Sequence, residues 1–259
     1  MKSPICLPQL PLTLTTLVCL ATMTLSGAEK KDSDWTELTA GKGLKAWRIA
    51  VPNGNGTADW ITCSAVELSS ENPMILRTHM GMENAVIVNG PTGKAKNIVS
   101  VEEHGDAEIH IEFLVAEKSN SGIYFMGRYE IQVLDNWGKE HVGDHDSGAI
   151  YQRWDPSRGK GKEGYEGHAP RVNASRKAGE WQTFDVIFRA PRFNKDGKKT
   201  RNAEFVKVVH NGTVIHENIQ LTGPTRGKTF FDESATGPIL LQGDHGPVAY
   251  RNIRFRTLK

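Results

Sequence analysis

The distribution of apolar and polar residues along the chain is that of many short β-strands. Along residues 106–115 the two kinds of side chain alternate, with Ile109, Ile111 and Phe113 on one side and Glu108, His110 and Glu112 on the other. A period of two predicts a strand with one packed face and one solvent-exposed face. The row of acid, histidine and acid is also a candidate catalytic or metal-binding set, but such rows are more often the wet face of an antiparallel strand.

About a dozen segments of this kind recur at intervals of roughly 8 to 15 residues, and helical periodicity is scarce. Turn-forming residues separate them. Asn211-Gly212 predicts a tight hairpin, Gly127 joins two short strands within residues 120–135, and residues 89–93 predict a further hairpin. Residues 155–179 are rich in Gly, Lys and Arg and predict a long surface excursion. The whole pattern predicts an all-β sandwich of two antiparallel sheets in a single domain.

The N-terminus has the features of a secretory signal. Lys2 precedes an apolar run over residues 10–25, and small residues close the segment. We therefore expect residues 1–28 to be a signal peptide and residues 29–259 to be the folded domain. The mature protein is expected to be exported, either to the periplasm or out of the cell.

Composition narrows the class of partner. The 259 residues include 32 Lys and Arg against 30 Asp and Glu, without a basic cluster, which argues against nucleic acid. No segment after the signal approaches about 18 consecutive apolar residues, so no membrane contact is expected once the signal is removed. Of three cysteines, Cys63 alone would remain, and no disulfide can form within one mature chain. We expect a monomer that binds a small neutral or weakly charged ligand.

The strongest candidate chemistry lies on residues 129–134. Alternation places Glu130 and Gln132 on one face of this strand and apolar residues on the other. An ionisable group and an amide about 7 Å apart on a rigid sheet can hold a ligand of the size of a sugar. Asp135 joins that face only if the strand bulges near its end.

Several motifs of the chain resemble a known family. The spacing Glu-x-Gln-x-x-Asp is similar to the Glu-x-Asp-x-x-Glu strand of laminarinase and lichenase β-glucanases. More specifically, the chain resembles the domain-of-unknown-function 1080 family, described as 3-keto-disaccharide hydrolases, in motifs that occur in this order: Asn-Ser-Gly-Ile-Tyr from Asn120, Arg-Tyr-Glu-Ile-Gln-Val-Leu-Asp from Arg128, Gly148-Ala-Ile-Tyr151, Gly179-Glu-Trp181, and Leu241-Gln-Gly-Asp-His-Gly246 through Ile253. The resemblance implies a concanavalin A-like jelly roll with Glu130 and Gln132 on its concave face.

The strand pattern, the loop that follows it and the resembling motifs together give a set of candidate site residues. The polar loop over residues 136–148 leaves the end of the candidate strand and is well placed to close over a ligand. We expect three catalytic residues, Glu130, Asp135 and His145. Six residues are expected to bind substrate: Asn120, Arg128, Gln132, Tyr151, Gln242 and His245. No cofactor is expected, although His141, Asp144, His145 and Asp146 could instead bind a divalent metal.

The family's substrate class suggests a particular reaction. A ketone at C3 of a sugar acidifies the hydrogen at C2, so that one carboxylate can remove it, the group at C1 can depart, and water can add back. Gln132 stands where the glucanases have an acid, and Asp135 is shorter than their glutamate, so double displacement is disfavoured. Two alternatives remain open: a lectin-like module without turnover, and an ordinary retaining β-glucanase.

Overall fold

Two antiparallel sheets pack face to face and enclose the core. The computed structural model describes Met1 and residues 34–50, 59–227 and 229–259. The strands belong to a unit that begins at Asp34 and ends at Lys259. The predicted signal peptide lies, Met1 apart, outside the described residues and stays a prediction. Within the described residues, no helix has the length and apolar character needed to cross a membrane.

The larger sheet has eight strands in the order β17-β16-β13-β8-β19-β6-β3, and β1 pairs with β19 beside this path. The bounds of these strands are β1 Thr36–Glu37, β3 Ile61–Cys63, β6 Val86–Val88, β8 Ala107–Val115, β13 Gln182–Arg189, β16 Ala203–His210, β17 Thr213–Leu221 and β19 Val248–Thr257.

The smaller sheet has five strands in the order β10-β9-β18-β7-β2. Its strands are β2 Trp47–Ile49, β7 Ile98–His104, β9 Asn120–Phe125, β10 Tyr129–Leu134 and β18 Gly237–Leu241. Three two-stranded ribbons lie outside the sheets: β4 Ala65–Leu68 with β5 Leu76–His79, β11 Arg153–Trp154 with β12 Gly164–Tyr165, and β14 Arg192–Phe193 with β15 Lys199–Arg201. Single-turn 3-10 helices occupy Gly43–Ala46 and Pro156–Arg158.

The core forms where the apolar rows of the two sheets meet. Alternate residues of β8 and β13 point inward, and Phe113 and Phe184 stack with their ring centroids 4.9 Å apart. The polar row of β8 lies on the outer face, where Glu112 pairs with Arg251 at 2.7 Å and His110 with Asp185 at 2.6 Å. The row therefore forms the solvent-facing side of an antiparallel strand, and ion pairs connect it to the neighbouring strands.

The predicted fold class is confirmed, as is the hairpin at Asn211-Gly212, which joins β16 to β17 with both turn residues at positive φ. The hairpin predicted at residues 89–93 is wrong. The strands on either side of it, β6 and β7, belong to different sheets, so this turn carries the chain across the sandwich. The excursion over residues 155–179 contains the short strand β12, which pairs with β11.

Candidate active site

A tight turn aligns the two strands that carry the site. Between β9 and β10, Met126 and Gly127 both have positive φ, 54° and 65°, and Gly127 and Arg128 donate backbone hydrogen bonds to the residues before the turn. Positive φ at both central positions is the geometry that matches the twist of paired strands. The register then runs without a break from Tyr129 opposite Phe125 to Leu134 opposite Asn120.

Strand alternation divides β10 between the core and the outer face of the smaller sheet. Tyr129, Ile131 and Val133 join the core between the sheets. Glu130 and Gln132 point the other way, where Glu130 lies opposite Tyr124 and Gln132 lies opposite Gly122. The two polar side chains therefore share the outer face, as the sequence pattern predicts.

A pocket of about 240 Å³ lies on this outer face. Four stretches of the chain contribute to it: the β9–β10 hairpin, the segment after β10, the segment after β17 and the segment after β18. Its lining residues are Asn120, Tyr124, Glu130, Gln132, Tyr151, Arg226, Gly227, Gln242 and His245.

The pKa of Glu130, which lines the pocket, is strongly shifted by its surroundings. Its side chain is almost fully buried, at 2% exposure. Burial raises the pKa of Glu130 to about 8, and a hydrogen bond from the Tyr124 hydroxyl opposes part of that rise. Burial, and then the proximity of Glu130, raise the pKa of Tyr124 well above its ordinary value, so Tyr124 stays a hydrogen-bond donor.

The Gln132 amide donates a second hydrogen bond to the Glu130 carboxyl group. With its nitrogen turned toward Glu130, it donates to Oε1 of Glu130 at 3.0 Å and to the backbone oxygen of Ser121 at 3.2 Å. This orientation is the one that gives both amide atoms suitable partners. A donor at this distance stabilises the ionised carboxylate, so Gln132 supports the form of Glu130 that can accept a proton.

Two buried oxygen atoms at the pocket lack a hydrogen-bond partner in the described part of the chain. Among the described residues, nothing donates to Oε2 of Glu130 or to Oδ1 of Asn120. A buried acceptor without a donor costs about 1–3 kcal/mol, which a ligand hydroxyl would offset. The pocket is therefore suited to a ligand rich in hydroxyl groups.

The segment that follows β17 closes one side of the pocket. Thr225 accepts the backbone N–H of Glu130 through its hydroxyl at 3.1 Å and donates its own N–H to the carbonyl of Arg128 at 2.9 Å. Arg226 donates its N–H to the carbonyl of Gln152 at 2.8 Å. These bonds fix Arg226 and Gly227 beside the strand that carries Glu130.

The segment after β18 closes another side. Gln242 donates its N–H to the carbonyl of Gly122 at 2.9 Å, which continues the sheet pairing beyond the end of β18. His245 lies in the turn toward β19, and its Nδ1 is 2.5 Å from Oδ1 of Asp244. Since Nδ1 is occupied, Nε2 is the nitrogen that can exchange a proton with a ligand.

The structure brings six of the nine predicted site residues together and leaves three outside the pocket. Asp135 turns away, because the unbroken register of β10 provides no bulge; its carboxylate accepts the backbone N–H of Lys118 at 2.9 Å. The bulge on which a place for Asp135 beside Glu130 depends is therefore absent from β10, and the expected catalytic role of Asp135 stays a prediction.

Arg128 and His145 also lie outside the pocket lining. Arg128 is 4% exposed, donates to the carbonyls of Met126 and Asp232, and stacks on Phe230 at 5.1 Å. It therefore holds the segment that follows the pocket wall. His145 is 3.3 Å from Asp144 and meets the edge of Tyr151, a pocket residue, at 5.4 Å between ring centroids. It therefore contacts a pocket residue without lining the cavity itself.

The polar loop does not gather ligands for a metal. Among the described residues, no group of three or more His, Cys, Asp and Glu side chains is arranged to hold an ion. Asp146 is engaged by Lys139 at 2.7 Å and by the backbone N–H of Gly143 at 2.6 Å. The expectation about cofactors stays a prediction.

Sequence reasoning missed three lining residues. Tyr124 is the last residue of the quoted Asn-Ser-Gly-Ile-Tyr motif, and its place opposite Glu130 could have been read from the hairpin register. Arg226 and Gly227 come from an irregular segment almost a hundred positions away, and no local pattern marks them.

A small pocket lined by carboxyl, amide and phenol groups, on one face of an antiparallel sandwich, is suited to binding a sugar. Comparison with known families agrees. The chain belongs to the 3-keto-alpha-glucoside-1,2-lyase-like domain family, which it matches over residues 34–256. A search of curated proteins gave no match.

Solved structures show the same fold. A proposed glycosyl hydrolase from Parabacteroides distasonis is 29% identical, with 87% of this chain and 84% of that chain covered and a TM-score of 0.61. Two further proposed glycosyl hydrolases from that organism are 18% identical, with TM-scores of 0.51 and 0.53. They cover 88% and 86% of this chain, and 95% and 99% of their own. The family and the 29% identical structure indicate a carbohydrate-active enzyme.

Proposed function

We propose that the protein is an exported enzyme that cleaves the glycosidic bond of 3-keto-glycosides by elimination followed by addition of water. The observation that carries this proposal is Glu130, a buried carboxyl group with a pKa of about 8 at the wall of a sugar-sized pocket. A carboxylate of such a pKa is a stronger base than an exposed one, which suits removal of hydrogen from carbon.

The reaction follows from the acidity that a ketone provides. Glu130 takes the hydrogen of C2, and the electron pair of that bond delocalises toward the oxygen of C3. Collapse of the enolate forms the C1–C2 double bond and expels the group at C1 with its oxygen. Water then adds to C1 and a proton returns to C2, which gives the free 3-keto-sugar and regenerates the carboxylate. Nothing is oxidised or reduced overall.

Donors for the transient charge come from the pocket. Gln242 carries an amide N–H group at its wall, and such a donor stabilises a developing oxyanion. Tyr151 and His245 carry the exchangeable protons that can be given to the departing oxygen. We assign no step to Asp135, because its carboxylate is engaged by Lys118.

The number of carboxyl groups that line the pocket favours elimination over double displacement. Retaining glycosidases use two carboxyl groups about 5 to 5.5 Å apart, and inverting enzymes also use two. Among the described residues that line the pocket, Glu130 is the one carboxyl group. An elimination that starts from an acidified carbon needs one carboxylate base, which this pocket provides.

Incubation in heavy water tests the proposal. The protein should release sugar from a 3-keto-disaccharide, place solvent deuterium at C2 of the product, and leave the unoxidised parent intact. Parallel reactions with chelator should proceed at the same rate. Cleavage of the unoxidised parent with C2 hydrogen retained would instead establish an ordinary glycosidase, and binding without turnover would establish a lectin.

A further inference from the structure

A stacked pair of side chains stands at the edge of the pocket. The guanidinium of Arg226 lies over the indole of Trp154, with its central carbon 3.8 Å from the ring centroid. Trp154 is 38% exposed, and Arg226 also lines the cavity that contains Glu130. Within the described part of the chain, the guanidinium has no hydrogen-bond or ion-pair partner. A flat group with five unpaired N–H donors is therefore presented beside the pocket.

The pair is fixed on both sides by backbone hydrogen bonds. Arg226 donates its N–H to the carbonyl of Gln152, and Trp154 belongs to the ribbon in which it lies opposite Gly164. Stacking on the indole restricts the guanidinium further, so less freedom is lost when it binds a ligand. The pair is thus a preformed surface, although it belongs to segments more than seventy residues apart.

Trp154 stands next to the pocket lining, beside Arg226, but is not itself part of that lining. Tyr151 lines the pocket, and Trp154 follows three residues later along chain that leads into β11. At about 3.3 Å per residue the two lie up to roughly 10 Å apart. The cavity of about 240 Å³ is smaller than the roughly 300–1,000 Å³ of pockets that enclose larger ligands. It can enclose one ring, and the remainder of a disaccharide must extend past its edge.

We propose that Trp154 and Arg226 form a second subsite, which binds the departing unit of the substrate when that unit is itself a sugar ring. The Arg226 guanidinium donates hydrogen bonds to its hydroxyl groups, and the exposed indole packs against its C–H groups. This inference rests on the proposed function, because it places the ring with the ketone against Glu130. On this proposal the enzyme prefers a disaccharide to a one-ring glycoside, and Trp154 and Arg226 are the residues that cause this preference.

Kinetics on two matched substrates test the subsite. One is a 3-keto-disaccharide, and the other is the methyl glycoside of the same 3-keto ring. The quantity of interest is the ratio of kcat/KM for the disaccharide to kcat/KM for the methyl glycoside. Trp154→Ala and Arg226→Ala should each lower this ratio by about tenfold, mainly through KM for the disaccharide.

Trp137→Ala provides the matched control. Trp137 is 55% exposed and stacks on a cation, Lys177 at 4.8 Å, but it does not line the pocket. Its replacement should leave the ratio at the wild-type value. Circular dichroism of each variant separates loss of the subsite from loss of the fold.

The outcomes distinguish the subsite from the reaction. Wild-type ratios in both Trp154→Ala and Arg226→Ala would overturn the subsite while leaving the proposed reaction intact. If the wild-type protein turns over neither substrate, the proposed reaction fails, and calorimetric affinities for the same two sugars decide the subsite. The disaccharide should then bind about tenfold more weakly to Trp154→Ala than to wild type. A wild-type protein without any preference for the disaccharide would overturn the proposal.

Discussion

A methyl group placed on Gly122 would lie 2.1 Å from Oε1 of Glu130, on the neighbouring strand. The missing side chain of Gly122 therefore provides the space in which the carboxyl group lies. It follows that the position of the proposed base depends on a residue that takes no part in the chemistry.

Replacement of Gly122 with alanine should displace the Glu130 carboxyl group and reduce kcat/KM by about a hundredfold, since misplacement by about 1 Å costs this much. Steady-state kinetics on a 3-keto-disaccharide give the measurement. Gly143→Ala is the control, because a methyl group there meets nothing closer than 3.8 Å. Equal activity of Gly122→Ala and wild type would show that the carboxyl position is not critical.

The pH dependence of kcat/KM should report the ionisation of Glu130. The base is the deprotonated form, and its pKa is about 8, so the rate should rise by about tenfold per pH unit below pH 8 and level off above it. Glu130→Gln should abolish turnover while preserving much of the affinity for the sugar. A rate that falls as pH rises through 8 would show that Glu130 acts as an acid.

Tyr124→Phe should move that profile to higher pH. The Tyr124 hydroxyl bonds to the carboxyl group and lowers its pKa, so loss of the hydroxyl leaves the effect of burial unopposed. The same profile measured for Tyr129→Phe serves as control, because that hydroxyl donates to Glu233 at 2.6 Å instead. A midpoint that moves equally in both variants would contradict the role given to Tyr124.

Glu130→Gln should also be more stable than wild type at high pH, because it removes a buried carboxylate. Burial raises the pKa of Glu130 from 4.5 to about 8, so between these values the folded state holds a proton that the unfolded state has lost. The stability that this proton contributes is present below pH 4.5 and is lost as pH rises through 8. Denaturant unfolding at pH 9 should show a gain on the order of 2–5 kcal/mol for the variant, with little gain at pH 4. A gain independent of pH would point to packing instead.

Asp135→Ala should affect stability more than catalysis. The carboxylate holds the backbone N–H of Lys118, a residue with φ of 58°, in the turn before β9. Loss of this bond should lower the free energy of unfolding by roughly 0.5–1.5 kcal/mol, with kcat changed less than about threefold. A large fall in kcat with an unchanged unfolding curve would return Asp135 to the reaction.

The sequence predicts the strand that carries Glu130 and Gln132 because alternation is a local property, and β10 obeys it. The sequence does not predict on which face Asp135 lies, because whether a strand bulges depends on the strand with which it pairs. Here β9 pairs with β10 residue for residue up to Leu134, so the next side chain points away. A one-residue change in register reverses the face on which every later side chain lies.

The sequence failed to predict Arg226 and Gly227 as lining residues for a different reason. Arg226 reaches the site through hydrogen bonds between irregular segments, from Thr225 to Arg128 and from Arg226 to Gln152. Such contacts have no period and no turn signature from which they could be inferred. The same limit applies to residues 89–93, where turn-forming residues predict a hairpin and the chain instead changes sheets.

The pocket wall after β18 has a consequence for how the protein becomes active. Gln242 and His245 are added near the end of the chain, more than a hundred residues after Glu130 has been synthesised. Pairing between segments so distant is a slow step, since loop closure must precede any stabilising contact. The hairpin that carries Glu130 can form early, but the cavity is complete only when the last strands have joined the sheets. Recovery of enzymatic activity during refolding should therefore lag behind recovery of β-structure.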